Sequence, residues 1–196
     1  MKKFLIFLFF SAFAFAQKDL TSAEKFQSEL NQSYADSLKS PLMKEDFKSF
    51  KGLDFFPLNE KYIVEATFIR TKKEKAFGMK TTTSRTPLYV KYGELHFTID
   101  GKNLKLNVYK NLDLSKKSDY EDYLFLPFSD LTCGKESYIG GRYVDMKVQK
   151  GKTWTIDFNK AYNPYCAYNY EYSCPIVPLE NDLDVEILAG VKKFHD

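Results

Sequence analysis

The chain has 196 residues, a formal charge of +3, three cysteines and 17% aromatic residues. A chain of this length normally forms one domain that buries about 70% of its unfolded surface, and a hydrophobic content of 44% excludes wholesale disorder. The near-neutral charge gives no reason to expect a nucleic-acid partner, since phosphate binding rests on a basic surplus. Even the small excess comes from the start of the chain: without Met1–Ala16, which carries Lys2 and Lys3, the charge falls to +1.

Residues 1–16 have the three parts of a secretory signal peptide. Met1-Lys2-Lys3 is a short basic start, Phe4–Phe15 is apolar, and Ala14 and Ala16 are small residues before a cut at Gln17. A spanning helix needs about 20 apolar residues. Gln17, Lys18 and Asp19 end this run too soon, and no later run is long enough. The expectation is an exported chain, periplasmic or extracellular, with no membrane span in its mature form.

Residues 17–52 read as a helical lead-in. Leu20, Ala23, Phe26, Leu30, Tyr34 and Leu38 recur at spacings of three and four, which predicts an amphipathic helix over Leu20–Leu38. Thr21 and Glu24 have capping-box spacing, Ser40-Pro41 stops the helix, and Lys44–Phe50 suits a second short one. From residue 53 to 196 the period becomes two. Alternation predicts strands at Tyr62–Ile69, Leu95–Ile99, Leu104–Val108, Val144–Val148, Trp154–Phe158 and Val185–Ala189. Asp100-Gly101 between two of these runs is a strong hairpin signal, because both residues tolerate positive φ. With Phe77–Thr83, Leu88–Tyr92 and Tyr123–Phe128 the count is about nine. The expected fold is mainly β, an antiparallel sandwich or barrel behind the helical lead-in.

Two segments do not read as scaffold. Ser129–Tyr143 holds three glycines with Lys135, Glu136 and Arg142. Asn159–Pro178 holds five tyrosines, three asparagines, three prolines and two cysteines. Long loops in a domain of this size are often functional, and tyrosine with asparagine suits a binding surface. Gly134-Lys135 lacks the second glycine and the hydroxyl of a phosphate loop, although Gly140-Gly141-Arg142 could cradle an anion. Cys166 and Cys174 are close enough in sequence for a disulfide in an oxidising compartment, with Cys133 left over. No zinc site is expected, because close ligand pairs are missing. Histidine-based nucleophilic catalysis would have to use His96, which falls on the polar face of a strand. Acid–base chemistry by Glu136, Asp157 or Glu180 is not tested by spacing alone.

Several blocks resemble a bacterial family of unknown function, number sixteen-eighty-four. They are Ser40-Pro41-Leu42, Phe50-Lys51-Gly52-Leu53 and Phe56-Pro57, then Leu126–Asp130, Gly134–Tyr138 and Gly140–Tyr143. Asp157–Pro164, Cys166-Ala167-Tyr168, Cys174-Pro175 and Glu180-Asn181 complete the similarity, which runs from Ser40 to Gly190. The resemblance implies one β-rich domain and carries no activity with it. It also implies forms without an export signal, in which the paired cysteines would stay as thiols.

The leading expectation is a β-domain that binds a small polar or anionic ligand, carbohydrate among the choices, between the two loops. Tyr138, Asn159, Tyr162, Asn163, Tyr168 and Asn169 would supply stacking and hydrogen bonds. Lys135, Glu136 and Arg142 would supply charge. One alternative is a hydrolase or transferase using Cys166 or Glu136. Another is an envelope interaction protein without a pocket, its protein partner unspecified. No cofactor is implied.

Overall fold

A computed structural model describes residues 18–195, so the signal sequence read over residues 1–16 lies outside the described residues. The chain opens with α1 (Thr21–Ala35) and α2 (Lys44–Ser49). It continues through β1 (Ile63–Arg70), β2 (Phe77–Gly78), β3 (Leu88–Ile99), β4 (Lys102–Asn111), β5 (Tyr123–Asp130), β6 (Arg142–Lys147), β7 (Thr153–Asp157) and β8 (Asp182–Leu183). The fold is mainly antiparallel β. Six strands run in the order β6-β5-β4-β3-β1-β7, with β2 added to β3 and β8 parallel to β5. β6 and β7 are the two ends of that path, yet only residues 148–152 separate them in sequence. Six peptide steps reach about 20 Å, whereas five strand spacings in a flat sheet span about 24 Å. The sheet therefore curls into a half-barrel.

This is one curled sheet of eight strands, where alternation predicted about nine strands in a sandwich or barrel. Leu88–Tyr92 and Leu95–Ile99 are a single strand, β3, with a bulge between Lys91 and Gly93. Val185–Ala189 alternates in burial as expected, with Val185, Ile187 and Ala189 inside, but is not a strand. Its carbonyls are taken by other groups. Leu131 N–H donates to Val185 O, and the Arg142 guanidinium donates to Ile187 O and Ala189 O.

The bulge decides which side chains share a face. Before it Lys91 stands opposite Tyr109; after it Gly93 stands opposite Val108. The extra residue moves odd-numbered side chains of β3 from one face to the other. Leu95, Phe97 and Ile99 therefore join Leu106, Val108, Leu124, Leu126, Val144 and Met146 in the main core. Tyr89 instead joins Tyr109, Phe125 and Tyr143 in an aromatic cluster on the opposite face. A side chain at Gly93 would place its Cβ 2.3 Å from Phe68 Cε2 and 2.7 Å from Ile69 O. The hairpin expected at Asp100-Gly101 forms between β3 and β4, with φ of 52° and 74° at the two turn residues.

α1 is shorter than its hydrophobic period suggested, and Leu38 is 93% exposed. The Thr21–Glu24 capping box does not form; Asp19 Oδ1 accepts the Thr21 N–H at 2.9 Å instead. The helix is tied to the body by Tyr34, which packs with Leu42, Leu53, Tyr168 and Val191 in a separate core. Gln27 Nε2 also donates to Asn159 O at 3.0 Å.

The Gly-rich loop between β5 and β6 ends on Arg142, which is fully buried. Its Nη2 meets Asp130 Oδ2 at 2.6 Å and Ile187 O at 2.8 Å. Removing one partner of a buried pair leaves an uncompensated charge. Arg142→Met is expected to lower stability by about 3–5 kcal/mol in urea unfolding. Adding Asp130→Leu should recover part of that loss, because the orphaned carboxylate is removed with its partner.

Candidate functional site

On its aromatic face the half-barrel holds a cavity of about 380 Å³, within the range of small-molecule sites. β3, β5 and β6 form its floor with Tyr89, Phe125, Tyr143 and Asp145. α1 supplies Phe26 and Leu30 as one wall, and the Tyr-rich loop supplies Tyr162, Tyr165, Tyr172 and Cys174 as another. The loop is held in place by the segment before β3. Thr82 N–H donates to Cys174 O at 2.9 Å, and Ile176 N–H donates to Lys80 O at 2.8 Å. Arg85 lies on the rim, its Nε and Nη2 donating to Ser173 Oγ and Ser173 O at 3.2 and 2.9 Å. The rings pack edge to face, Phe125 on Tyr143 at 4.7 Å and Tyr165 on Tyr172 at 5.1 Å between centroids.

Asp145 is the polar centre of this cavity. Val144 and Met146, its neighbours on β6, point into the main core, so alternation turns Asp145 to the aromatic face. Tyr123 Oη and Tyr162 Oη both donate to its Oδ1 at 2.7 Å. Asp145 itself is exposed to solvent, at the open side of the cavity. Partial desolvation of the carboxyl raises its pKa above the usual carboxylate value, and the two tyrosine hydroxyls offset part of that rise. Among the described residues no cation lies within ion-pairing distance of it.

The residues that sequence singled out divide sharply. Tyr162 lines the cavity. Arg142, Asn159, Asn163 and Tyr168 are buried and serve the chain itself, which corrects their reading as ligand contacts. Asn159 accepts from Asn59 N–H at 2.9 Å and returns a hydrogen bond to Asn59 O at 3.0 Å. Asn163 Nδ2 donates to Lys192 O at 2.8 Å, and Tyr168 packs edge-on against Tyr34 at 4.9 Å. Asn169 accepts the Glu171 N–H at 3.0 Å in a local turn. Lys135 and Glu136 are exposed and border a separate depression with Asp54 and Lys192. The two loops meet at a separate depression of about 300 Å³, where Gly134, Ser137, Tyr138 and Ile139 face Ala167 and the C-terminal residues, whereas the Gly-rich segment reaches the aromatic cavity through Tyr143.

Tyr89, Phe125, Asp145 and Arg85 were missed by sequence reasoning. The available signal was the strand pattern itself: Tyr89, Tyr109, Tyr123 and Phe125 occupy positions that an exposed sheet face would fill with polar residues.

The cysteines stand next to the cavity as free thiols instead of the expected disulfide. Cys166 N–H donates to Cys174 Sγ at 3.1 Å, and Tyr138 Oη lies 4.0 Å from Cys166 Sγ. The hydrogen bond from the Cys174 thiol, helped by Tyr138, holds Cys166 down to about 7, while Cys174 is pushed up. No three His, Cys, Asp or Glu side chains among the described residues gather as a metal site requires. No helix among them is long and apolar enough to cross a membrane.

Fold and site together define an antiparallel half-barrel with a ligand-sized aromatic cavity on one face of its sheet. Residues 48–192 match the family described as "Protein of unknown function (DUF1684)", and the chain belongs to that family. It is also similar to an uncharacterised protein of Haloarcula marismortui solved by solution NMR. The similarity covers 88% of this chain and 92% of that one, at 32% identity and a TM-score of 0.69. No curated protein matches it.

The thiol geometry has a direct readout. Alkylation mapped by mass spectrometry should modify Cys166 with a half-maximal rate near pH 7 and leave Cys174 inert. Tyr138→Phe should move the Cys166 midpoint upward, because a donor to the thiolate is removed.

Proposed function

We propose that this chain is an exported binding protein that holds a small ligand in the cavity between α1, the aromatic sheet face and the Tyr-rich loop. The observation that carries this reading is the cavity's composition. Aromatic rings line an open space around one solvent-accessible carboxylate that the chain leaves without a cation among the described residues. Aromatic area binds strongly at small conformational cost, and a few fixed polar groups then orient the ligand. The sidedness of the sheet supports the same reading. A buried aromatic face with a gap large enough for a ligand forgoes packing that aliphatic side chains would have supplied.

This reading replaces the two-loop pocket by a pocket of one loop, one helix and three strands. Lys135 and Arg142 drop out of it, the first by location and the second by burial. Export rests on Met1–Ala16, and N-terminal sequencing of protein recovered outside the cytoplasm should begin at Gln17.

The cavity itself is tested by filling it. Leu30→Trp on α1 enlarges a side chain that lines the space. Compounds from a metabolite and glycan panel that raise the melting temperature of the unmodified chain should lose that effect in Leu30→Trp. Lys135→Ala, placed in the separate depression, should leave every such shift unchanged.

A further inference from the structure

We propose that the ligand of this cavity is an organic cation, an amine with an apolar or ring portion, whose charged head pairs with Asp145 Oδ2. The inference rests on the binding reading above and specifies its chemistry.

The two oxygens of Asp145 are used unequally. Both Tyr123 Oη and Tyr162 Oη donate to Oδ1 at 2.7 Å. No hydrogen bond or ion pair among the described residues engages Oδ2. Two hydroxyl donors fix the carboxylate plane and help keep the group ionised, since an ionised carboxylate is acceptor-only. What remains is an oriented acceptor oxygen in a ring of aromatic side chains. A neutral acceptor would be repelled there, and an anion more so. A donor that carries positive charge gains a charge-assisted hydrogen bond to that oxygen.

The surrounding rings favour the same sign. The faces of tyrosine and phenylalanine rings carry negative electrostatic potential, which attracts an ammonium group within about 6 Å of a centroid. Tyr143, Tyr162 and Tyr165 bring such rings to the cavity around Asp145. The apolar remainder of the ligand would lie on Phe26 and Leu30 of α1.

Arg85 is the other charged group of the lining and does not reverse this balance. It is exposed at the rim, and two of its guanidinium nitrogens are already bonded to Ser173. Among the described residues Asp145 has no cation within ion-pairing distance. An anion would therefore meet one charged guanidinium at the exposed rim and an unpaired carboxylate at the floor.

Calorimetric titration of the mature chain with three compounds of one shape decides the matter: phenethylamine as cation, phenethyl alcohol as neutral analogue and hydrocinnamate as anion. The amine should bind about tenfold more tightly than the alcohol, the gain expected of one charge-assisted contact, and hydrocinnamate should bind weakest. Asp145→Asn keeps an acceptor for the two tyrosine hydroxyls and should erase the preference for the amine while leaving alcohol binding in place. Arg85→Gln, a rim change that spares the floor, should leave the amine's advantage intact or enlarge it. Equal binding of amine and alcohol by the unmodified chain overturns the cation assignment but leaves the cavity reading standing. A preference that survives in Asp145→Asn overturns it as well. Failure of all three compounds to bind overturns both.

Discussion

The buried Arg142–Asp130 pair is the constraint on which the rest of the structure depends. Both side chains are fully inside, with Arg142 at the start of β6 and Asp130 at the end of β5. Burying two charges costs several kcal/mol per ion even after relaxation, and the attraction between them offsets that only if the remaining polar atoms are also satisfied. Here they mostly are. Thr132 N–H donates to Asp130 Oδ1 at 2.7 Å, and the guanidinium donates to the carbonyls of Ile187 and Ala189. Arg142 Nε alone lacks a partner. A side chain thus does what a neighbouring strand would do, satisfying the carbonyls of an extended segment that has no ladder. That segment carries Val185, Ile187 and Ala189 into the main core.

From this point the consequences run outward to the cavity. Once residues 185–191 are fixed, Val191 N–H donates to Ala161 O and Lys192 O accepts from Asn163 Nδ2, which anchors the start of the Tyr-rich loop. Asn159 joins the same loop to Asn59 and, through its carbonyl, to Gln27 of α1. The two walls of the cavity are therefore both attached to one internal network. The floor is set separately, by the β3 bulge that puts Tyr89 on the face of Phe125, Tyr143 and Asp145. Polar residues of the loops hold the walls, and strand residues of the sheet hold the chemistry.

That division explains what could be read in the sequence. Period-two alternation and the Asp100-Gly101 turn identified the β character because each rests on local geometry. Val185–Ala189 has the same alternation, but alternation reports burial and not a hydrogen-bond partner, so a segment bonded to Arg142 looked like a strand. Arg142, Asn159 and Asn163 looked like ligand contacts because a polar side chain in a loop carries no local mark of whether its partner is solvent or the chain. Several of their partners, Ile187, Asn59 and Lys192, lie 29 to 100 residues away in sequence. Asp145 was illegible for the opposite reason. One aspartate between Val144 and Met146 is the ordinary pattern of a strand with a solvated face. Only the covering helix and loop turn that face into a cavity.

The Tyr-rich loop that composition singled out lies along the cavity, but its side chains divide between several surroundings. Of its tyrosines, Tyr162, Tyr165 and Tyr172 face the cavity, Tyr168 is buried against Tyr34, and Tyr170 is 76% exposed. Composition locates such a segment but does not assign its side chains, because the short helical turn at Tyr165–Ala167 sends successive residues in different directions. The family match has a corresponding limit. It begins at residue 48, after α1, whose Phe26 and Leu30 form one wall. The matched residues supply the Arg142 network, the floor and the loop, whereas the helix that closes the space precedes them. The shape of the cavity therefore depends also on a segment outside the matched residues.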